Sequence, residues 1–349
     1  MDPLTGIDWT TSPVGGDAVW MRVEDQSAVA AARRRATGLA EQLGFTGERL
    51  GRVQLAVTEA ATNLVKHAVR GEMLVRVSRR GGDAAIEFVC FDRGPGIADV
   101  PGARLDGYST SGTLGVGLGA IERIADASGL YSASEAGTVL FARFHQPDGA
   151  ATVTDPPFAG LTRPIEGEEE CGDAYAARLH EGTVYAMVCD GLGHGPLAAR
   201  AAQEAVRVMR EAVLPAAPAD LLRQVHDRLG STRGGAVAVA AVQPSAGTVR
   251  FAGLGNVAGW VLGGDRRRGM ISVPGIAGAG RRPLREHVYD LPPGGAVVMH
   301  SDGLTDKWDG ASLPALDRDP LLVSAELMRG AGVRHDDRCV LTVTTSGRR

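Results

Sequence analysis

Residues 53–68 read VQLAVTEAATNLVKHA and decide the fold of the first half of the chain. Glu59 and Asn63 are four residues apart, so a helix places them on one face in successive turns. Val57 and Leu64 point another way and can anchor the helix to a sheet. On this helix alone, a solvated polar face explains the pattern as well as a ligand-binding face does.

Two further segments favour a ligand-binding face over a solvated one. Asp92 follows an apolar strand and begins DRGPGI, a rigid turn that aims a carboxylate into a pocket. Residues 112–119 read GTLGVGLG and lead into a predicted helix at 118–127, where glycines let backbone N–H groups approach a phosphate. Taken alone, this loop also resembles half of the glycine fingerprint of dinucleotide-binding proteins. That fingerprint lies in the first βαβ unit of its fold, and this loop does not.

In this order, the motifs ExxxN, DxGPG and GxGLG resemble the GHKL ATPase family. Within it they are most similar to the RsbT-type serine kinases of anti-sigma and stress-switch pathways, above all at residues 106–120, DGYSTSGTLGVGLGA. The resemblance covers about residues 17–145 and implies a Bergerat-type (GHKL) α/β sandwich. A polar face at the helix end explains Lys66 and His67 as well as a functional role does.

The resemblance also implies roles for individual residues. Glu59 would be the general base that activates the acceptor hydroxyl. The other matching residues would bind ATP with Mg²⁺: Asn63 the metal ion, Asp92 the adenine amino group, Gly94 and Gly96 the adenine pocket, Gly115, Gly117 and Gly119 the phosphates, and Thr138 the adenine from the last strands.

Four acidic clusters mark the second half of the chain. They contain Asp173, Asp190, Asp302 and the pair Asp336-Asp337, and three of them adjoin an apolar strand. Asp-Gly turns explain any single cluster. Carboxylates converging from four separate strands are instead typical of a site for Mg²⁺ or Mn²⁺.

Together with the stretches Gly167-Glu168, Thr232–Gly235 and Phe251–Asn256, these clusters resemble the PPM/PP2C phosphatases of the SpoIIE type, and most of all the RsbX type. The resemblance covers about residues 160–345 and implies a PP2C-like α/β/β/α sandwich.

Within that resemblance, Asp190 would bridge two Mn²⁺ or Mg²⁺ ions with help from the Gly191 carbonyl. Asp173, Asp302 and Asp336 would complete the metal shells, largely through waters. Asp337 stays open as an alternative to Asp336. His194 stays open between a proton donor and a residue that shapes its loop.

The predicted organisation is an α+β protein with a kinase domain at residues 1–146, a linker at 147–164 and a phosphatase domain at 165–349. The net charge of −4 gives no reason to expect a nucleic-acid partner. No apolar run approaches the roughly 20 residues that cross a bilayer, so we expect no membrane partner and a cytoplasmic location.

The resemblances imply a bifunctional signalling protein that adds phosphate to serine or threonine of a partner and removes it. The implied partner is a STAS-domain switch protein or stressosome scaffold, and a sigma factor or phosphatase activator is a further candidate. The alternative is an ATP-binding, anti-sigma-like sequestering module that regulates a single active phosphatase domain.

Overall fold

The computed structural model describes residues 9–103, 117–147, 157–264, 266–280, 283–333 and 335–345. None of the described helices is both long enough and apolar enough to cross a membrane. The α-helices within these ranges are α1 (Gln26–Gln42), α2 (Gly47–His67), α3 (Val100–Ala103), α4 (Gly117–Ile124), α5 (Pro196–Glu211), α6 (Pro218–Leu229) and α7 (Pro320–Ala331). The strands are β1 (Trp9–Thr11), β2 (Ala18–Arg22), β3 (Glu72–Arg80), β4 (Asp83–Phe91), β5 (Ala127–Ala133), β6 (Gly137–His145), β7 (Phe158–Arg163), β8 (Asp173–His180), β9 (Thr183–Gly191), β10 (Gly235–Gln243), β11 (Thr248–Leu254), β12 (Ala258–Gly263), β13 (Arg266–Met270), β14 (Ser272–Val273), β15 (His287–Asp290), β16 (Ala296–His300) and β17 (Arg338–Thr344).

The chain divides into two compact units. The N-terminal unit comprises Pro13–Arg79 and Asp83–Thr152. The C-terminal unit comprises Met1–Ser12, Arg80–Gly82 and Val153–Arg349. Each unit has its own hydrophobic core.

The N-terminal unit is a sheet with helices on one face. Its strands run in the order β2-β3-β4-β6-β5. The apolar side of α2, including Val57 and Leu64, packs in one core with Val75 of β3 and Phe88 of β4. This burial anchors the helix as its 3.6-residue periodicity predicts, and it leaves the side that carries Glu59 and Asn63 partly exposed.

The C-terminal unit has four layers. One sheet contains β1-β8-β9-β10-β11, with β14 and β15 also paired to β11, and the other has the order β13-β12-β16-β17-β7. Tyr175, Phe251 and Leu341 belong to the core between the sheets. Helices α5 and α6 pack on the first sheet, and α7 packs on β7 and β17. The predicted α+β class and α/β/β/α sandwich are therefore confirmed.

The structure differs from the predicted linker at 147–164. Residues 158–163, FAGLTR, form β7, which pairs with β17 in the second sheet of the C-terminal unit. Phe158 and Leu161 are fully buried there, and this burial stabilises a strand that is too short to show a clear period. The N-terminal strand β1 likewise pairs with β8 in the C-terminal unit. Residues 148–156 of the predicted linker lie outside the described residues.

Candidate active sites

Asp92 occupies the end of β4, where the sequence predicts a fixed carboxylate. The side chain is buried, and its Oδ1 accepts a 2.7 Å hydrogen bond from the Gly94 N–H. The Asp92 backbone N–H donates to the Thr138 carbonyl at 3.0 Å, so the carboxylate and Thr138 of β6 are neighbours. A Cβ at Gly96, where φ is +75°, would overlap the Ala133 carbonyl, so this turn requires glycine.

The end of the glycine loop lies beside α2. The Nδ2 atom of Asn63 is 4.0 Å from the position that a Cβ at Gly117 would take. Gly117 begins α4 and Gly119 lies in its first turn, so their backbone N–H groups are among those that a helix leaves without internal partners. Gly115 lies outside the described residues.

Ser132 is an organising residue that the sequence reasoning missed. Its Oγ accepts the Ile97 N–H at 2.7 Å, donates to the Gly137 carbonyl at 3.1 Å and lies 3.1 Å from the Thr138 Oγ1. It therefore fixes the turn after Asp92 against β6. A serine inside a predicted strand has no motif to mark it.

Lys66 and His67 are exposed at the end of α2. Their exposure agrees with the explanation that they belong to a polar face at the helix end.

Asp173 and Asp190 form the centre of the acidic site in the C-terminal unit. They are direct cross-strand partners on β8 and β9, an arrangement that holds their Cβ atoms about 4.5–5.5 Å apart. Asp173 is only 3% exposed, and its Oδ2 has no hydrogen-bond partner among the described residues.

Burial and mutual repulsion both oppose the charged forms of these carboxyls. Burial, together with the negative charge of Asp302, raises the pKa of Asp190 to about 8. Burial and the negative charge of Asp190 raise the pKa of Asp173 well above its usual range, although a hydrogen bond from Ser301 acts in the opposite direction. Buried carboxyls that repel one another in this way accept either protons or cations.

Asp302 and Asp336 join this centre from the turn after β16 and from the turn before β17. Asp302 accepts a hydrogen bond from the Asn256 amide and lies within hydrogen-bond reach of Asp190. Partial burial, followed by the charge of Asp302, raises the pKa of Asp336.

Asp337 has a different environment from Asp336. Its two oxygens accept the backbone N–H groups of Ile165 and Gly172 at 2.7 and 2.9 Å. It is 2% exposed, whereas Asp336 is partly exposed. Asp337 therefore ties backbone segments together, and Asp336 has more freedom to reach a ligand.

Glycines allow the acidic segments to approach closely. A Cβ at Gly303, the residue after Asp302, would overlap the backbone carbonyl of Asp337. A Cβ at Gly172, the residue before Asp173, would lie 2.6 Å from the Asp337 Oδ2. The glycines beside the aspartates thus do more than form turns, since they bring distant carboxylates to one place.

The carboxylates fit a divalent cation. The donors are hard oxygens, the Oδ2 of Asp173 is buried with no hydrogen-bond partner among the described residues, and burial and neighbouring carboxylates raise the pKa values of both Asp173 and Asp190. Among the described residues, no group of three or more His, Cys, Asp or Glu side chains is arranged so that it could hold a metal ion as it stands.

Three polar residues beside the carboxylates were given no role from the sequence. Ser301 accepts the Cys339 N–H at 2.9 Å and so connects the third and fourth acidic segments. Asn256 holds Asp302, and Glu168 lies 2.8 Å from the His194 Nδ1. Asn256 and Glu168 lie in stretches that carry the phosphatase resemblance. Their position in those stretches could have identified both as candidate site residues. The Glu168 contact favours a loop-shaping role for His194.

The folds and sites define two classes of protein within one chain, a GHKL-type ATPase followed by a PP2C-type phosphatase. Residues 23–144 match the histidine kinase-like ATPase domain family, and residues 180–346 match the stage II sporulation protein E (SpoIIE) family. The serine/threonine-protein kinase RsbT of Bacillus subtilis (strain 168) is 32% identical over 124 residues, which span 93% of that protein and 36% of this chain. An anti-sigma F factor of Heyndrickxia coagulans is 32% identical over 120 residues, 82% of its length and 33% of this chain.

Among solved structures, RsbX in complex with magnesium aligns over 54% of this chain and 94% of its own, with 15% identity and a TM-score of 0.45. The chain belongs to the RsbT family of histidine kinase-like ATPases through its N-terminal unit, and it carries a SpoIIE-type domain in its C-terminal unit. It therefore has a protein serine/threonine kinase domain and a PPM-type protein serine/threonine phosphatase domain, which confirms the predicted enzyme classes.

Proposed function

We propose that the chain both phosphorylates and dephosphorylates serine or threonine on one partner-switching protein, a STAS-domain antagonist or a stressosome scaffold. The observation that carries this proposal is that each unit brings polar side chains of its own family motifs close together. In the first unit, Asn63 lies beside Gly117 and Asp92 lies beside β6, and in the second unit Asp173 and Asp190 face each other.

In the kinase unit, bound ATP with Mg²⁺ supplies the phosphoryl group. The Asp92 carboxylate, fixed by the Gly94 N–H, accepts a hydrogen bond from the adenine amino group. Asn63 would hold the metal ion, and the N–H groups at the start of α4 would bind the phosphates. Glu59 lies one helical turn before Asn63 and takes the proton of the acceptor hydroxyl.

In the phosphatase unit, two Mg²⁺ or Mn²⁺ ions supply an activated water and neutralise phosphate charge when they are bound. Asp190 lies between Asp173 and Asp302, which suits it to serve both metal positions, and the Gly191 carbonyl adds a further oxygen. We assign Asp336 rather than Asp337 as the remaining ligand, because both oxygens of Asp337 already accept backbone N–H groups.

A second candidate function is sequestration. The N-terminal unit is 32% identical to an anti-sigma F factor over 82% of that protein, and 32% identical to RsbT over 93% of its length. Such a unit could bind ATP and hold a sigma factor or a phosphatase activator, while only the phosphatase domain turns over. Phosphate transfer to a partner separates the two functions, because sequestration requires none.

The direct experiment incubates the full chain with γ-labelled ATP, Mg²⁺ and a panel of purified STAS-domain proteins from the source organism. The Asp190→Asn chain should label one STAS protein on serine or threonine, because the label is no longer removed. Glu59→Ala in the same background is the matched control and should leave that protein unlabelled. If no STAS protein is labelled but a sigma factor is bound in the presence of ATP, sequestration is the better description.

A further inference from the structure

Three apolar side chains are exposed next to the acidic site of the phosphatase unit. Leu192 is 49% exposed, Leu197 52% and Ile276 39%, although most large apolar residues of this unit are buried. Leu192 follows Gly191, and its N–H donates to the Gly234 carbonyl at 3.0 Å. The Cγ2 of Ile276 lies 2.9 Å from the position that a Cβ at Gly234 would take.

The backbone keeps these side chains at the surface. Gly193 and Gly195 have φ values of +88° and +73°, which fix the loop between β9 and α5 in a conformation that other residues rarely adopt. Leu197 follows in the first turn of α5. Exposed apolar groups that cluster beside a functional site mark an interaction surface more often than isolated ones do.

Arg233 lies in the same place and has no partner within the described part of the chain. Its side chain is exposed and makes no hydrogen bond or salt bridge with a described residue. One of its terminal nitrogens is 3.3 Å from the position that a Cβ at Gly193 would take, so the guanidinium lies against the loop that follows Asp190. By contrast, the exposed arginines Arg223 and Arg228 of α6 are paired with carboxylates.

We propose that Leu192, Leu197, Arg233 and Ile276, together called the site rim, recognise the phosphorylated segment of the protein substrate. Arg233 binds the phosphate, because a guanidinium presents two parallel N–H groups that match phosphate oxygens. The three apolar side chains contact apolar residues on either side of the phosphoserine or phosphothreonine. The inference rests on the proposed phosphatase activity and adds the class of substrate: an extended phosphosegment with apolar flanks.

The test uses the full chain with Mn²⁺ and three probes. Two are synthetic phosphoserine peptides of equal length and charge, one with leucines flanking the phosphoserine and one with serines there. The third is p-nitrophenyl phosphate, which has no flanking residues. The wild-type chain should hydrolyse the leucine peptide with a kcat/KM about tenfold above that of the serine peptide, mainly through a lower KM.

The variants separate the two parts of the rim. Leu192→Ser combined with Ile276→Ser should reduce the tenfold preference to about twofold or less, because the apolar contacts are lost. Arg233→Ala should raise KM for all three probes, and Arg233→Lys should restore part of the loss. Val213→Ser and Arg285→Ala are matched controls, since both residues are exposed and Val213 lies beyond the opposite end of α5. Both controls should behave as wild type.

Equal kcat/KM values for the two peptides in the wild-type chain would overturn the apolar part of the proposal, as would a preference that survives the double substitution. An unchanged KM in Arg233→Ala would overturn the phosphate contact. Absence of metal-dependent hydrolysis of every probe would instead contradict the phosphatase activity on which the rim depends.

Discussion

Asp173 and Asp190 face each other across β8 and β9, with Asp173 buried and Asp190 half-buried, and neither carboxylate has a cation among the described residues to offset its charge. Placing two carboxylates there costs folding free energy unless a proton or a metal ion neutralises them. The phosphatase unit thus keeps a locally unfavourable arrangement, and binding of divalent cations is the use that we propose for it.

Replacing Asp190 with asparagine should abolish activity but stabilise the metal-free protein. Loss of a residue that only hydrogen-bonds to a metal ligand lowers activity by up to roughly 100-fold. Loss of a direct ligand should lower turnover by more than that. In EDTA at pH 8, removal of one of the opposed charges should raise the Tm of the C-terminal unit by about 2–4 °C for each kcal/mol gained.

The control for this substitution is Asp227→Asn, which changes an exposed carboxylate on α6. It should leave both activity and Tm unchanged. A lower Tm for Asp190→Asn than for wild type in EDTA would show that the carboxylate stabilises the fold rather than serving the metal.

The stability of the metal-free phosphatase unit should fall as pH rises. The pKa of Asp190 is about 8 in the folded protein against 3.8 for an ordinary carboxyl, so the folded state keeps a proton that the unfolded state releases. The free energy of unfolding therefore decreases between about pH 4 and pH 8. Addition of Mn²⁺ should increase the free energy of unfolding more at pH 8 than at pH 5. At pH 8 the carboxylates are more fully ionised, so the metal ion displaces fewer protons when it binds.

Thermal unfolding in EDTA from pH 5 to pH 9 measures this dependence. Other groups also titrate in that range, so the decisive quantity is the difference between wild type and Asp190→Asn. The slope of Tm against pH should be smaller for Asp190→Asn. Parallel curves for the two proteins would contradict the assignment of the proton to this site.

In the kinase unit, Asp92→Asn should remove ATP binding while keeping the fold. An asparagine Oδ1 can still accept the Gly94 N–H that Asp92 accepts at 2.7 Å, but the charged acceptor for the adenine amino group is lost. Glu59→Ala should retain ATP binding and lose phosphate transfer by about 10²–10⁴-fold, the usual contribution of a general base. Calorimetric titration with ATP measures binding, and equal affinities of wild type and Asp92→Asn would refute the adenine assignment.

A buried ionic group should dominate the stability of the N-terminal unit. The two oxygens of Glu87 accept hydrogen bonds from Arg76 and Arg143 at 2.7 Å each, and all three side chains are 3% exposed or less. Glu87→Ala leaves two buried guanidinium groups without this carboxylate and should cost about 3–5 kcal/mol. Glu48→Ala removes an exposed partner of Arg52 and should cost about 1 kcal/mol or less. Chemical denaturation compares the two, and equal losses would disprove the dominance of the buried group.

The sequence predicts much of both sites because their motifs depend on local geometry. The spacing of Glu59 and Asn63 follows from helical periodicity, and Asp92 and Asp190 adjoin apolar strands whose ends fix their positions. The roles of Asp336 and Asp337 could not be separated, since neighbouring acids look alike until the N–H groups of Ile165 and Gly172 are located.

The remaining features that the sequence did not predict depend on contacts between residues far apart in the chain. Strand β7 lies in a proline-rich stretch and is stabilised by pairing with β17, more than 170 residues later. Strand β1 pairs with β8, although the residues of the N-terminal unit separate these two strands along the chain. Ser301 connects two acidic segments through a bond to Cys339 that no local pattern marks.

In the proposed function, one chain adds phosphate to a partner and removes it at the same residue. Intact-mass spectrometry of a single STAS-domain partner, followed over time with ATP and Mn²⁺ or Mg²⁺, measures both reactions on one molecule. With Asp190→Asn, the partner should accumulate one phosphate to completion. With Asn63→Ala, a partner that is phosphorylated beforehand should lose it, and the wild-type chain should hold an intermediate level. Phosphate addition and removal on different residues or different proteins would contradict the claim.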